Sequence, residues 1–408
     1  MTTIKAKQKH SKNTAVYSIS RALERASFYG VRSLVIMYLV TSTYLIAIDQ
    51  AFEILGWFLM AIIVSKIIGG FLGDLVLKGK RAVLLGGILQ TIGCFVLCIE
   101  VFEAVIAGMG LIVLGSGLYA PNILAQFARS YVNKEKIMDA GFSIYYLASN
   151  IGAFFGIVLI GLVGERYGWN WGFMVAGGCM LISTSILLFR QEEQVDISSD
   201  DSQPKIKNGI SLLIICFVAV ALFWNLYGLS FIAFQDIQQS ISEIHSRDVN
   251  VSTWSVLNSY AIMFFAAVAA VVWSYKYYNQ LMKMVVGFLL LSLAFGIVLF
   301  IQTPYTENAT FIALAVSVII ALAEIHISPV LNSIVTRAIN PKFLAIAFSI
   351  TFLPGLIITE LLANLKYDYI AQLDNTTILI IGASSLGIIG LTLLILVKLG
   401  ILKTSYKA

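Results

Sequence analysis

The chain has 408 residues, of which 59% are hydrophobic and only 12% are charged, and its formal net charge is +5. Soluble domains carry about a quarter charged residues. A soluble fold of this length could not bury so much apolar surface, whereas a bilayer can accommodate it. The composition therefore excludes an ordinary soluble protein and indicates an all-α membrane protein.

Apolar stretches long enough to cross a bilayer follow one another along the whole chain. A transmembrane helix needs about 20 apolar residues, and we predict twelve such helices. They cover residues 15–42, 50–74, 82–99, 103–131, 139–163, 170–190, 209–235, 251–275, 281–302, 309–337, 343–366 and 376–399.

The longest polar stretch, residues 191–208, lies between the sixth and seventh predicted helices. It divides the chain into an amino-terminal six-helix bundle of residues 1–190, a linker of residues 191–208 and a carboxy-terminal six-helix bundle of residues 209–408. Successive loops alternate between basic and acidic, and Lys78, Lys80 and Arg81 lie in one basic loop. Because cytoplasmic loops are rich in Lys and Arg, both termini and the linker are predicted to be cytoplasmic in a multi-pass protein of the cell inner membrane.

The two halves contain similar segments. Residues 120–147 and 328–353 each begin with a small residue and a proline, and after similar spacing they read GFSIYYL and AFSITFL. Pro121 and Pro329 are therefore predicted to open similar helices. Repeated halves are typical of transporters that rock around a site near the bilayer midplane.

The sequence offers little support for an enzyme, a cofactor, a metal site or nucleic-acid binding. No nucleophile–base pair or nucleotide-binding loop stands out. The cysteines lie inside apolar runs, where Cys usually behaves as a small buried hydrophobe, and the histidines do not cluster. They are Cys94, Cys98, Cys179 and Cys216, and His10, His245 and His326.

Several segments read like the motifs of one transporter family. They are LERASFYGVRSLVIMYL at 23–39, GGFLGDLVLKGKRAVLLGG at 69–87, DAGFSIYYLASNIGAFFG at 139–156, WSVLNSY at 254–260 and AEIHISPVLNSIVTRAINP at 323–341. In these segments the chain resembles the major facilitator superfamily and, within it, the proton-dependent oligopeptide transporter family. The resemblance implies twelve helices in two pseudo-symmetric bundles. It also implies a monomer that carries peptides together with protons by alternating access.

Several positions depart from the family pattern. Arg21 stands where the family has the first Glu of its first-helix motif, and Ala120 stands in place of the fourth-helix Lys that pairs with that Glu. The seventh-helix Glu falls near Gly228, and a second-helix Tyr that contacts peptides falls near Ile63. Part of the family's peptide and proton machinery is therefore expected to be missing.

Charged side chains in the predicted membrane helices point to a positively charged binding site. A charge at mid-bilayer is costly, so it usually faces a cavity or a partner. Because cations outnumber carboxylates, a shared cavity would favour an anionic ligand. Lys66 could instead pair with a carboxylate, and His326 could pack between helices. The set comprises Arg21, Glu24, Arg25, Arg32, Lys66, Glu324, His326 and Glu360.

The sequence and the resemblance together give three groups of candidate residues. Substrate binding is assigned to Arg21, Tyr29, Arg32, Lys66, Tyr145, Tyr146, Asn150, Trp224, Asn258 and Ser328. Proton coupling is assigned to Glu24, Arg25, Glu324 and His326. Gating is assigned to Asp74 and Arg81, with Asp74 expected to accept backbone N–H groups at the start of the eleventh helix, near Pro341.

Two functions remain open at this point. The first is proton-coupled symport of peptides or of a peptide-like anionic or zwitterionic molecule. The second is import or export of a non-peptide anion, such as a carboxylate-rich metal chelate, with or without protons.

Overall fold

The computed structural model of the chain describes residues 8–41, 46–190, 209–244, 251–301, 307–358 and 373–403, and all regular structure within them is helical. The predicted linker at 191–208 lies outside the described residues. So do Glu360 and the end of the eleventh predicted span.

The first six predicted spans correspond to seven α-helices, because a π-helical turn at Gly156–Ile160 divides the fifth. A second π-helical turn, Gly73–Leu77, prolongs α2. The helices are α1 (Thr14–Thr41), α2 (Ile48–Leu72), α3 (Gly79–Val96), α4 (Phe102–Arg129), α5 (Met138–Phe155), α6 (Gly161–Tyr167) and α7 (Trp169–Ile186).

The second half begins with a long helix and contains a helix that is interrupted near its middle. The described helices are α8 (Gly209–Ile244), α9 (Val251–Tyr275), α10 (Gln280–Val298), α11 (Glu307–Ile325), α12 (Ser328–Ala338), α13 (Leu344–Ile350) and α14 (Asn375–Lys398). The pair α11 and α12 forms the tenth predicted span, and a short 3₁₀ turn at Pro341–Phe343 precedes α13.

Eleven helical segments in the described ranges are long and apolar enough to cross a membrane. The remaining predicted span is α1, and any stretch of 18 residues within it contains at least three of Arg21, Glu24, Arg25 and Arg32. Within the described residues, each of the twelve predicted spans is therefore represented by helical structure, and the first is set apart by its charges.

The two prolines of the repeated segments have different consequences. Helix α11 ends at Ile325, four residues before Pro329, whose ring would clash with that carbonyl in a continuous helix. The prediction that Pro121 opens a helix is wrong, because Pro121 lies inside α4. There the side-chain amide of Asn122 donates to Leu118 O and to Gly69 O, each at 2.9 Å, which supports α4 beside the proline and ties it to α2.

The chain divides into two compact units. The first comprises residues 1–203 and 339–350, so that α13 belongs to it, and the second comprises residues 204–338 and 351–408. In the first unit α1 packs against α5 and α7, while α4 packs against α2 and α3. In the second unit α10 packs against α14 and α11, and α9 packs against α11.

Close backbone approach holds α1 against α5. A Cβ added at Gly152 of α5 would collide with the carbonyl oxygen of Ala22, and one at Gly156 would collide with that of Ala26. Small residues that let helix backbones approach are a principal source of packing energy between membrane helices. The α1–α5 contact therefore depends on the absence of a side chain at these two positions.

We predict that Gly152→Val destabilises the protein by roughly 1–3 kcal/mol, because overpacking forces the two helices apart. The measurement is thermal unfolding of purified protein in detergent. Gly178→Ala is the control, since a Cβ at Gly178 meets no atom within 4 Å. Equal melting temperatures for Gly152→Val and wild type would contradict the proposed contact.

Candidate functional site

A buried ion cluster lies on α1, where one carboxylate serves two arginines. The Glu24 side chain is 0% exposed. Its Oε2 accepts hydrogen bonds from Arg21 Nη1 at 2.9 Å and from Arg25 Nε at 2.8 Å, and its Oε1 accepts from Arg25 Nη2 at 2.6 Å. Arg21 reaches Glu24 because residues three apart share a helix face. The carboxylate is therefore fully engaged by the two guanidinium groups.

Two aromatic rings of α1 lie next to the guanidinium of Arg25. Its Cζ lies 4.9 Å from the centroid of Phe28 and 5.7 Å from that of Tyr29. A guanidinium within about 6 Å of an aromatic centroid is attracted to the face of the ring. Arg25 is thus fixed by Glu24 and by two rings of its own helix, as expected for a residue that orders the site.

Arg21 is less enclosed than Arg25 and reaches across to α5. Its Nε donates to Ser149 Oγ at 3.3 Å, and its Cζ lies 5.7 Å from the centroid of Tyr145. The Arg21 side chain is 16% exposed, while that of Glu24 is completely buried. Arg21 is therefore the member of the cluster that can meet a ligand.

Lys66 of α2 belongs to the same electrostatic environment. It interacts through charge with Glu24 and with both arginines of the cluster. Three basic side chains thus surround one carboxylate, and charges in a low-dielectric region interact more strongly than in water. The structure brings together the predicted residues Arg21, Glu24, Arg25 and Lys66, and this part of the first unit favours an anion.

Arg32 lies apart from this cluster. It is exposed, and its Cζ is 6.0 Å from the centroid of Tyr29, which lies between Arg32 and Arg25 along the helix. The described part of the chain provides no ion pair for Arg32. Among the described residues, Arg32 is therefore connected to the cluster only through the ring of Tyr29.

The predicted residues of α5 differ in what they offer a ligand. Tyr145 is 5% exposed, and its hydroxyl has no hydrogen-bond partner among the described residues. The amide of Asn150 donates to Tyr146 O at 2.9 Å, within its own helix. Tyr145 therefore adds an unsatisfied polar group beside Arg21, while the Asn150 amide nitrogen stabilises α5 locally.

Sequence reasoning missed a buried network of hydroxyl groups next to the ion cluster. The hydroxyl of Tyr119 on α4 lies 2.6 Å from Ser20 Oγ and 2.8 Å from Ser183 Oγ, and Ser20 Oγ also donates to Ser183 O at 2.8 Å. The network joins α1, α4 and α7 one residue before Arg21. Single serines in apolar helices carry no sequence signal, so only the helix packing reveals it.

A second cluster surrounds Asp74 in the π-helical turn that follows α2. Its Oδ1 accepts from Arg129 Nη2 at 2.8 Å, and its Oδ2 accepts from the backbone N–H of Ile346 at 2.9 Å. Arg129 Nε in turn donates to Pro341 O at 2.8 Å. The predicted hydrogen bond, which Asp74 accepts from a backbone N–H after Pro341, is therefore present in the first turn of α13.

Arg129 takes the place in this cluster that the sequence suggested for Arg81. Arg81 is exposed, and no contact within the described residues joins it to Asp74. The repeated segments carried the missed signal, because Arg129 follows Pro121 by the same interval as Arg337 follows Pro329.

In the second unit, Glu324 and His326 point to different surroundings. Glu324 is 9% exposed and interacts through charge with Tyr227 of α8. His326 Nδ1 donates to Leu322 O at 2.8 Å, and its ring lies 5.7 Å from Trp273, centroid to centroid. The donor role follows because a carbonyl oxygen can only accept, so this nitrogen carries the proton. His326 is thus packed among neighbours of α9 and α11.

The other predicted residues of the second unit lie on three different helices. Trp224 of α8 makes edge-on contacts with Phe223 and Tyr227. Asn258 of α9 is partly buried, and within the described ranges its Oδ1 has no hydrogen-bond partner. Ser328 is partly buried at the first position of α12, beside the interruption of the tenth span.

The helical, membrane-spanning architecture defines a multi-pass membrane protein. Residues 18–358 match the model of the Major Facilitator Superfamily. Since this match covers most of the chain, the protein belongs to that superfamily.

Individual relatives and solved structures show which members of the superfamily the chain resembles. The chain is 32% identical over 179 residues to the peptide transporter YePEPT of Yersinia enterocolitica, and this match covers 42% of the chain and 35% of the relative. It is 26% identical over 202 residues to dipeptide and tripeptide permease B of Photorhabdus asymbiotica, covering 49% of the chain and 41% of the relative. The matches therefore span less than half the length of these relatives.

Similarity of fold extends over nearly the whole chain. The chain superposes on a crystal structure of a mutant of the peptide transporter POT with a TM-score of 0.63 and 21% sequence identity. The superposition includes 95% of each of the two chains. At this identity the likeness establishes the fold, which is the major facilitator fold predicted from the sequence.

We predict that Glu24→Gln lowers the stability of the protein by about 3–5 kcal/mol, because it leaves two largely buried guanidinium groups without a carboxylate. The readout is the melting temperature and the folded yield in detergent. Glu103→Gln, at an exposed position of α4, is the control and should behave like wild type. A Glu24→Gln variant as stable as wild type would show that the cluster contributes no stability.

Proposed function

We propose that the protein is a secondary active transporter that carries peptides, or a peptide-like anionic or zwitterionic molecule, together with protons by alternating access. Its membership of the Major Facilitator Superfamily and its similarity to peptide transporters support this reaction. The observation that carries the proposal is the ion cluster, in which Glu24 is shared by Arg21 and Arg25 while Lys66 adds a third basic group.

The proposed working form is a monomer in the cell inner membrane. Two six-helix bundles, at residues 1–190 and 209–408, would rock around a substrate held near the bilayer midplane. The termini and the linker would be cytoplasmic, in agreement with the basic loops. Gating would then occur at the cytoplasmic ends of the helices, where Asp74 follows α2.

The roles of the individual residues follow from their surroundings. Arg21 and Lys66 would attract the acidic group of the substrate, while Arg25 stays locked to Glu24 and the neighbouring rings. Glu324 is the proposed proton carrier, because it is a buried carboxyl group whose charge interacts with Tyr227 of α8. A buried carboxyl group is well suited to take up and release a proton as its environment changes.

Uptake into proteoliposomes tests the function directly. Radiolabelled alanyl-alanine should accumulate inside vesicles whose lumen is more alkaline than the medium, and an ionophore that dissipates the gradient should abolish the accumulation. Empty vesicles are the control. Uptake of citrate or its ferric complex, with no uptake of di- or tripeptides, would favour the non-peptide anion instead.

We predict that Glu324→Gln abolishes proton-driven accumulation but preserves exchange of labelled for unlabelled substrate, because the amide cannot carry a proton. Both reactions are measured in the same proteoliposomes. Glu243→Gln, at an exposed position near the end of α8, is the control. Unchanged proton dependence in Glu324→Gln would exclude Glu324 as the carrier.

The Asp74 cluster is proposed as a latch of the cytoplasmic gate. We predict that Asp74→Asn weakens this latch, because the ion pair with Arg129 is replaced by a weaker hydrogen bond from the guanidinium to a neutral amide. In protein lacking the four native cysteines, a cysteine introduced at the buried Ser349 of α13 should then react faster with maleimide. Asp49→Asn, at an exposed site, is the control. Equal labelling rates with and without Asp74→Asn would argue against a latch.

A further inference from the structure

Ser149 of α5 holds the guanidinium of Arg21 in place. Its hydroxyl donates to Tyr145 O at 3.0 Å and accepts from Arg21 Nε at 3.3 Å. The bond to the helix backbone fixes the direction of the hydroxyl, so its oxygen faces Arg21. Arg21 is therefore oriented from two sides, by Ser149 at Nε and by Glu24 at Nη1.

This orientation leaves part of the guanidinium available. A guanidinium has five N–H donors in a fixed plane, and the described residues accept hydrogen bonds only from Nε and Nη1 of Arg21. Its Nη2 has no acceptor within this part of the chain. Since the Arg21 side chain is 16% exposed, an incoming group could reach that edge.

Tyr145 supplies an independent sign of a ligand at the same place. Arg21 lies over its ring, while the buried hydroxyl of Tyr145 finds no hydrogen-bond partner in the described chain. Leaving a buried hydroxyl unsatisfied is unfavourable, and such groups call for a functional explanation. An acceptor oxygen bound beside Arg21 would satisfy the hydroxyl.

We propose that the Nη2 edge of Arg21 and the hydroxyl of Tyr145 form the oxyanion subsite of the transported molecule, with Ser149 as a positioning residue. This inference rests on the proposed transport function and deepens it, because it assigns the acidic group of the substrate to Arg21 rather than to the exposed Arg32.

The charge of the cluster sets the class of substrate. Arg21 and Arg25 share one carboxylate, so these three groups carry a surplus positive charge that one bound anionic group neutralises. A carboxylate, phosphonate or sulfate matches the planar donors of a guanidinium. Molecules whose acidic group is converted to a neutral amide are therefore poor ligands of this subsite.

Binding to the purified full-length protein in detergent tests the subsite with three probes: sulfate, alanyl-alanine and alanyl-alanine amide. Sulfate should protect wild type against thermal unfolding, relative to chloride at equal ionic strength. Alanyl-alanine should bind at least tenfold more tightly than its amide.

Substitutions distinguish the residues that contact the bound anion from the residue that positions Arg21. Arg21→Lys and Tyr145→Phe should weaken sulfate and alanyl-alanine roughly tenfold to a hundredfold, since each removes a hydrogen bond to a charged group. Ser149→Ala should weaken both probes about three- to tenfold and reduce the preference for the acid over the amide. Ser149→Thr keeps the hydroxyl and should restore binding.

Ser185→Ala is the matched control. Ser185 of α7 makes the same type of bond to its own helix, from Oγ to Leu181 O at 2.8 Å, but it touches no arginine. The Ser185→Ala variant should bind all three probes like wild type. If Ser149→Ala fails to fold, Arg21→Lys and Tyr145→Phe still test whether these two residues form the oxyanion subsite.

The outcomes distinguish this subsite from the transport function. Sulfate binding that depends on Arg21 and Tyr145, without any binding of dipeptides, would preserve the subsite and refute peptide transport. The subsite would be overturned if alanyl-alanine and its amide bound with equal affinity, or if wild-type protein bound no sulfate. Neither result would refute transport, which the uptake measurement in proteoliposomes tests on its own.

Discussion

The carboxylate of Glu24 is inaccessible to solvent and accepts three hydrogen bonds from two arginines of its own helix. Charges inside a membrane are expensive unless they are paired and hydrogen-bonded. Glu24 therefore makes it possible for α1 to carry Arg21 and Arg25 and still lie among the membrane helices. Because one carboxylate cannot neutralise two guanidinium groups, the same arrangement leaves a positive charge beside α5 and α2.

The packing of α1 and the chemistry of the cluster depend on each other. Gly152 of α5 and Gly156 of the following π-helical turn bring the backbone against α1, which places Ser149 within reach of Arg21. The hydroxyl network of Ser20, Tyr119 and Ser183 fixes α1 against α4 and α7 at the neighbouring position. A shift of α1 would therefore disturb the orientation of Arg21 as well as the core. This coupling places the proposed ligand-binding edge of Arg21 on rigid elements.

The Asp74 cluster is likewise built from charge-assisted hydrogen bonds around one carboxylate. Asp74 joins α2 to Arg129 of α4 and to the backbone of α13, and Arg129 also binds the carbonyl of Pro341. All of these bonds lie in the first compact unit, whose residues 339–350 come from much later in the sequence. Charge-assisted hydrogen bonds of the fully buried Asp74 carboxylate thus help to hold a segment that is distant in the sequence.

The sequence by itself determined the helices, because length and apolar runs are read directly from residues and each span must satisfy its own backbone hydrogen bonds. It also identified the charged residues of α1 and the acceptor role of Asp74. Tertiary structure decided the partners. Arg129 rather than Arg81 meets Asp74, Arg32 lies apart while Lys66 joins Arg21, and Pro121 lies within a continuous helix. These outcomes depend on how closely helices approach and which side chains meet across them, and the pattern along a single helix does not contain that information.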